Sequence, residues 1–320
     1  MIRKVLMEKL ILASDSGGSK TVWRVLNSVG ETVKTVRTDG LGAVPETLPI
    51  GETVRSALFL LDGFVFSRIY LSLGGPNTSE VENALKNAWP DAAITVSREA
   101  NGDAMLNAAA LLSCSAAVLC GTGSTAVGIK NGRRCYSGGW GPIYGDGGSG
   151  GGLCRDALAM YLAGLDRDGE ADDLAGVFGF ITDGLDIKDF AQRMEVKTRA
   201  ISLSRRELAA LLPQLYGLYL QNSPSAVILF DKAIDEVCRM ASGVSDDSPS
   251  TRVLLCGGFF RGKSELIERC RERFSRFSSA KLVYESRFDP IVGACTAALT
   301  AAGVQITETV FDNILNEKRA

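Results

Sequence analysis

The residues able to do chemistry in this 320-residue chain fall in five short stretches, each rich in glycine or acids. Asp15-Ser16-Gly17-Gly18-Ser19-Lys20 is a tight glycine turn of hairpin type. Such a turn can lay backbone amides, Ser19 and Lys20 against a polyphosphate, while Asp15 holds Mg²⁺ through water. Read alone, Gly-Gly between two strands is also an ordinary hairpin turn. Arg98-Glu99-Ala100-Asn101-Gly102-Asp103 brings two acids to the start of a helix; from a start near Ala100, Glu99 and Asp103 stand four residues apart on one face. Either is a candidate general base, and either equally suits the positive end of a helix dipole.

Cys120 to Gly152 holds thirteen of the chain's 35 glycines. Glycine loses the most backbone entropy on folding, so such density is retained mainly where the main chain takes φ > 0 or approaches a ligand. Gly121-Thr122-Gly123-Ser124-Thr125 follows an apolar strand and aims amide and hydroxyl donors at one point, which suits phosphate oxygens. Gly138-Gly139-Trp140-Gly141 through Gly145-Asp146-Gly147-Gly148-Ser149-Gly150 offers a carboxylate, an aromatic plate and many amides. These are sugar-binding materials: carboxylates accept from vicinal hydroxyls and aromatic faces cover the C–H faces of a ring. The fifth stretch, Gly257-Gly258, again follows an apolar strand.

Strands are expected at 10–14, 21–27 and 33–38 as a meander, then at 68–73, 93–96, 116–120, 125–130, 252–256 and 281–284. Helices are expected at 50–61, 79–88, 104–112 and 153–162, then roughly at 170–182, 186–197, 204–221 and 225–243. Further helices follow Ser264, open at Asp289-Pro290, and fill the tail from Thr307. Strand and helix alternating in this way indicate a mainly parallel α/β sheet, whose ligands gather at the carboxyl ends of the strands. The length implies two domains with a cleft between them. The boundary is placed near Ser113: residues 1–113, joined by a C-terminal helix within 303–320, and residues 114–302 with a helical insertion at about 155–245.

Two motifs mislead. Gly257 to Ser264 matches G-x-x-x-x-G-K-[ST], but too little chain follows for the magnesium-binding acidic strand of a P-loop enzyme, so a loop packing against a nucleotide base is preferred. Gly121 to Ala126 fits a loose dinucleotide fingerprint, yet a strand follows it where a helix is required.

The net charge of −2 and the lack of a long basic run argue against nucleic acid or an anionic membrane as partner. No apolar run approaches the length of a membrane span, and the first residues are too soon charged for a signal peptide, so a cytoplasmic location is expected. Eight scattered cysteines lack metal-site spacing and read mostly as reduced core thiols. Histidine is absent from the sequence. That excludes Ser-His or Cys-His nucleophilic catalysis and leaves a carboxylate as the general base.

Three glycine turns after strands, at Asp15, Gly121 and Gly257, with Glu99 between the first two, resemble the actin-like ATPase superfamily that includes sugar kinases and Hsp70. Gly138 to Ser149 is similar to the GGWG...GDEGS signature of the N-acetylglucosamine kinase branch, grouped with the BadF/BadG/BcrA/BcrD ATPase family. The resemblance covers nearly the whole chain. It implies two ribonuclease-H-like (actin-like ATPase) domains around a central cleft, ATP and Mg²⁺ as cofactors, a small-molecule sugar as substrate and frequent homodimers. The implied reaction is ATP-dependent phosphorylation of an amino sugar such as N-acetylglucosamine.

By position, the resemblance makes Gly17, Gly18, Ser19 and Lys20 the first phosphate loop, with Asp15 near Mg²⁺. Gly121, Thr122, Gly123 and Ser124 form the second, Gly257 and Gly258 take the adenosine, and Trp140, Gly145 and Asp146 take the sugar. Glu99 falls where the family has its catalytic aspartate, with Asp103 in reserve. Three departures stand out: Glu99 is one methylene longer than aspartate, Gly147 replaces the signature's glutamate, and Val44 stands where the kinases often place a sugar-binding asparagine. The same family contains ATP-driven dehydratase activators that share a [4Fe–4S] cluster between subunits, and Cys120 and Cys154 are spaced suitably for that alternative. A non-catalytic nucleotide- and sugar-binding module is the third.

Overall fold

The structure, a computed structural model, describes residues 10–17, 20–41, 50–73, 78–97, 102–167 and 172–316. Two five-stranded sheets carry the chain. In the first, β1 (Leu10–Ser16), β2 (Thr21–Leu26) and β3 (Thr32–Thr38) run as an antiparallel meander. On the other side of β1, β4 (Phe66–Leu73) and β5 (Ala93–Ser97) add in parallel. In the second sheet, β6 (Ala116–Cys120), β7 (Ser124–Lys130) and β8 (Arg133–Gly138) repeat the meander, and β9 (Arg252–Cys256) and β10 (Lys281–Tyr284) repeat the parallel pair. The orders β3-β2-β1-β4-β5 and β8-β7-β6-β9-β10 are the same succession, so one supersecondary unit is used twice. Each sheet is therefore mixed, not mainly parallel as the alternation suggested.

Parallel neighbours need crossovers, which helices supply. These are α1 (Ile50–Leu60), α2 (Thr78–Ala88) and, beyond β5, α3 (Gly102–Leu111). After β8 come α4 (Gly141–Tyr144), α5 (Gly150–Leu165), α6 (Ala175–Phe178), α7 (Phe190–Ser202), α8 (Arg205–Ala210), α9 (Leu212–Leu220) and α10 (Pro224–Val244). The chain ends with α11 (Ser264–Phe274), α12 (Pro290–Ala301) and α13 (Glu308–Leu315). The single helix expected at 204–221 is cut at Leu211, where Pro213 enters the first turn of α9 and cannot donate backward. The helix expected at 170–182 is two 3₁₀ turns flanking the short α6. The strand β8 is not among those expected, because Arg133, Arg134 and Gly138 hide its alternation.

The chain divides into two units, residues up to Cys114 with those from Arg287 on, and Ser115–Ser286. Leu12, Trp23, Val25, Leu61, Ile69 and Leu71 are fully buried in the first, and Val118, Phe178, Phe230, Leu255, Phe259 and Phe260 in the second. The expected return to the first unit at residue 303 occurs earlier, because α12 packs on α3 and β1. Both helices are rich in alanine, and Gly293 lets them meet backbone to backbone. A side chain there would overlap the carbonyl of Ala104. Behind them, Arg24 of β2 donates from Nη1 to the carbonyl of Ile314 at 2.9 Å, which anchors α13. Among the described residues no helix is long and apolar enough to cross a membrane.

Gly293→Ala is expected to destabilise the chain. Alanine gains about 1 kcal/mol in helix propensity over glycine, but overpacking against a backbone atom costs roughly 1–3 kcal/mol or more, so the clash wins. Thermal unfolding checks this: each kcal/mol lost lowers Tm by about 2–4 °C for a domain of this size. An unchanged or raised Tm would contradict the close helix contact.

Candidate active site

In the first unit, the hairpin between β1 and β2 closes as expected, with the Gly17 amide donating to the Lys20 carbonyl at 2.9 Å. Ser16 Oγ and Thr21 Oγ1 lie 2.8 Å apart, and the amide of Leu41 donates to both at 3.1 Å, which braces the turn from below. Gly18, Ser19, Val44 and Glu99 lie outside the described residues. Asp15 stands at the end of β1 between Val22 and Ser72. Burial pushes its carboxyl up to about 7, Asp289 pushes in the same direction, and Lys20 opposes them. From the sequence, Asp289 marks only the start of a helix. It is the N-cap of α12, with extended backbone and a side chain that caps none of the helix's own amides. A carboxyl pushed up by burial and a second acid is stabilised as the anion by a bound cation, and hard oxygen donors of this kind fit Mg²⁺. Asp103 lies in the first turn of α3, where its Oδ2 accepts from the hydroxyl of Ser97 at 2.9 Å.

In the second unit, the turn from β6 to β7 is tied to the start of α5 at several points. The Gly121 amide donates to the Gly123 carbonyl at 2.8 Å, and the Gly150 amide donates to the Gly121 carbonyl at 2.9 Å. Ser149, the N-cap of α5, accepts from the Gly152 amide at 3.0 Å. Its hydroxyl faces the carbonyls of Asp146 at 2.7 Å and Thr122 at 3.0 Å. Asp146 is buried at 4% exposure and takes a left-handed backbone, φ 64°, a conformation aspartate tolerates better than most residues. Its Oδ1 accepts from the Ser124 amide at 2.9 Å, and its Oδ2 is ion-paired with Arg205 of α8. The capping box between Ser204 and Glu207 fixes the start of that helix, and with it the Arg205 backbone. A side chain at Gly123 would overlap the Arg205 guanidinium and the Asp146 carboxylate, so glycine leaves room for this pair.

Beside this turn lies the one after β9. The Phe259 amide donates to the carbonyl of Cys120 at 2.9 Å, and Gly257, at φ 103°, leans against the same carbonyl. Both glycine turns thus leave adjacent strands at one end of the sheet. Gly258 is exposed, whereas Phe259 and Phe260 are fully buried. Lys263, the lysine of the P-loop pattern, turns back on the loop: its ammonium donates to the carbonyls of Gly258 (3.3 Å) and Arg261 (3.2 Å) and sits 5.6 Å from the Tyr216 ring centre. Burial and then Arg261 push it below the usual lysine range. Two aromatic side chains driven into the core and a lysine spent on its own loop are not a phosphate cradle of the P-loop kind.

Trp140 caps the short α4 and is 77% exposed. It is available as a plate, with Gly145 closing the same turn through its amide on the Gly141 carbonyl at 2.8 Å. At Gly147, the space of a side chain is filled from α10, with Glu236 Cγ 2.9 Å from where a Cβ would stand. The Glu236 carboxylate is paired with Arg239 at 3.1 Å.

The sequence profile of the BadF/BadG/BcrA/BcrD ATPase family matches residues 14–298. The chain belongs to this family. Among curated proteins no sequence matches. Solved structures similar to this family member include the putative N-acetylglucosamine kinase of Chromobacterium violaceum, with 22% identity, a TM-score of 0.67, and 91% of this chain and 99% of that one covered. The corresponding protein of Porphyromonas gingivalis gives 19%, 0.60, 91% and 99%. A glucokinase of the ROK family from Streptomyces griseus, solved with glucose and AMPPNP, gives 15%, 0.53, 90% and 98%. At these identities the likeness is one of fold, the two-sheet actin-like ATPase architecture described above.

The cluster-bearing alternative within the family meets an obstacle in this chain. Cys120 and Cys154 are both fully buried. Burial, with Cys256 and Asp146 adding to it, pushes the Cys120 thiol far above its ordinary range, and burial pushes Cys154 up to about 12. A cluster shared between subunits needs ligands at the surface of each, and these two thiols lie in the core.

Proposed function

We propose that the chain is an ATP-dependent kinase of an amino sugar, of the N-acetylhexosamine class such as N-acetylglucosamine. The observation that carries this reading is the pairing of Gly121–Ser124 with Gly257–Gly258 at one end of the second sheet, with a buried carboxylate, Asp146, tied behind the first turn. Adjacent amide-rich turns suit a nucleotide, and family membership makes that nucleotide ATP. In this reading Gly257 and Gly258 take the adenosine. Gly121, Thr122, Gly123 and Ser124, with Gly17, Gly18, Ser19 and Lys20, donate to the phosphates. Trp140, Gly145 and Asp146 take the sugar; each carboxylate oxygen of Asp146 has a second lone pair left for a hydroxyl.

Asp15, with Asp289 beside it, would hold Mg²⁺. Bound there, the ion supplies positive charge to the phosphates. Glu99, with Asp103 as the alternative, takes the proton of the sugar hydroxyl as its oxygen bonds to the γ-phosphorus and the bridging oxygen departs with ADP. Phosphoryl transfer of this kind is mostly positioning and electrostatics, so amide-rich turns and one carboxylate suffice.

Coupled measurement of ADP release across hexoses, hexosamines and their N-acetyl derivatives, with a no-sugar control, tests the assignment. Release stimulated most by an N-acetylhexosamine is expected. Release that no sugar changes would contradict it and favour an ATPase of another kind.

A further inference from the structure

We propose that Arg205 is a catalytic residue that contacts the phosphoryl group in transit from nucleotide to sugar, aimed there by its ion pair with the sugar-binding Asp146. This inference rests on the kinase reading. Arg205 belongs to the helical insertion, in a stretch without loop or motif signals, yet its guanidinium reaches the turn between β6 and β7. There it lies on Gly123 and pairs through Nη2 with Asp146 Oδ2. It thus touches both a glycine assigned to the phosphates and a carboxylate assigned to the sugar. In the kinase reading, the group that moves between those two ligands passes this guanidinium.

The state of the side chain fits that role. Asp146 is almost wholly buried and has Oδ1 fixed by the Ser124 amide, so the carboxylate is a rigid mount. The Arg205 side chain is 34% exposed, and its one hydrogen bond among the described residues is the one to Asp146. Nε and Nη1 keep their donors. A guanidinium presents five N–H donors in a planar fork, so four remain for phosphoryl oxygens. In the transfer step the sugar O–P bond forms, the bond from phosphorus to the bridging oxygen breaks, and its electron pair leaves with ADP. The hydroxyl proton goes to the carboxylate base. Arg205 takes no part in the proton transfer and donates to the equatorial oxygens, where charge accumulates.

Arg205→Ala is expected to lower kcat about 10²-fold, the scale of losing one preorganised donor, with KM for ATP and for the sugar within a few-fold of the unaltered chain. Arg205→Lys keeps the charge but not the fork and should recover only part of the loss. Because Arg205→Ala leaves a buried carboxylate without its counter-charge, it also loses stability. The double variant Arg205→Ala/Asp146→Asn removes that charge and should regain Tm, which separates the stability loss from the activity loss. Methylguanidinium added to the Arg205→Ala protein, where Asp146 is intact, should restore turnover in a saturable way without moving Tm. No saturable rescue, or an Arg205→Ala protein turning over within about three-fold of the unaltered chain, would overturn the catalytic role while leaving the kinase intact. An unaltered chain that phosphorylates no sugar would remove the kinase reading and this inference together.

Discussion

Asp15→Asn should make the chain more stable and nearly inactive. In the ligand-free protein, burial and the neighbouring Asp289 hold the Asp15 carboxyl near 7, against an ordinary value of 3.8. Between those two values the folded chain keeps a proton that the unfolded chain has released. Stability from this group is therefore full below about pH 4, falls as pH rises through the window, and is gone above about 7. Asparagine cannot ionise, so its variant should show a higher Tm than the unaltered chain at pH 8 and a flatter dependence of Tm on pH between 4 and 8. Activity moves the opposite way: kcat/KM should drop about 10²–10³-fold, as for loss of one preorganised electrostatic group. Millimolar Mg²⁺ should raise the Tm of the unaltered chain and not that of Asp15→Asn, since only a cation that binds the folded state stabilises it. A variant no more stable at pH 8, or an equal Mg²⁺ response in both proteins, would contradict the placing of Asp15 as the buried acid that meets the metal.

Glu99→Gln is expected to cut kcat about 10²–10⁴-fold, the usual contribution of a positioned general base, while the KM for ATP changes little. The amide keeps the size and hydrogen-bonding reach of the side chain and removes only its basicity. Asp103→Asn separates the two candidates. Asp103 accepts a hydrogen bond from Ser97 in the first turn of its helix, so its substitution should act mainly on local stability. Near-normal turnover in Glu99→Gln together with collapse in Asp103→Asn would exchange the two roles.

Features written into short stretches of sequence were legible. The hairpin at Gly17–Lys20, the strand ends at Asp15 and Cys120, and the glycine turns after β6 and β9 all follow from local apolar runs punctuated by glycine. The physical reason against the P-loop pattern, two aromatic anchors and a lysine turned inward, needed coordinates. What was hidden depends on pairs far apart in sequence. Asp289 announced only a helix start, and nothing local says that it faces Asp15. Arg205 sits inside a helical run 59 residues from Asp146, and no periodicity links them. The strand β8 escaped because two exposed arginines and a closing glycine broke its alternation. The early return of the chain through α12 escaped because alanine-rich helices look alike whether they pack on one sheet or the other.

The central claim is that the γ-phosphoryl group of ATP goes to a sugar hydroxyl and not to water. Incubation of the protein with γ-³²P-labelled ATP, Mg²⁺ and N-acetylglucosamine, followed by separation of products, measures this directly. Label is expected in a sugar phosphate, with inorganic phosphate no higher than in the sugar-free control. Label found only in inorganic phosphate, at a rate that neither N-acetylglucosamine nor another N-acetylhexosamine alters, would contradict it.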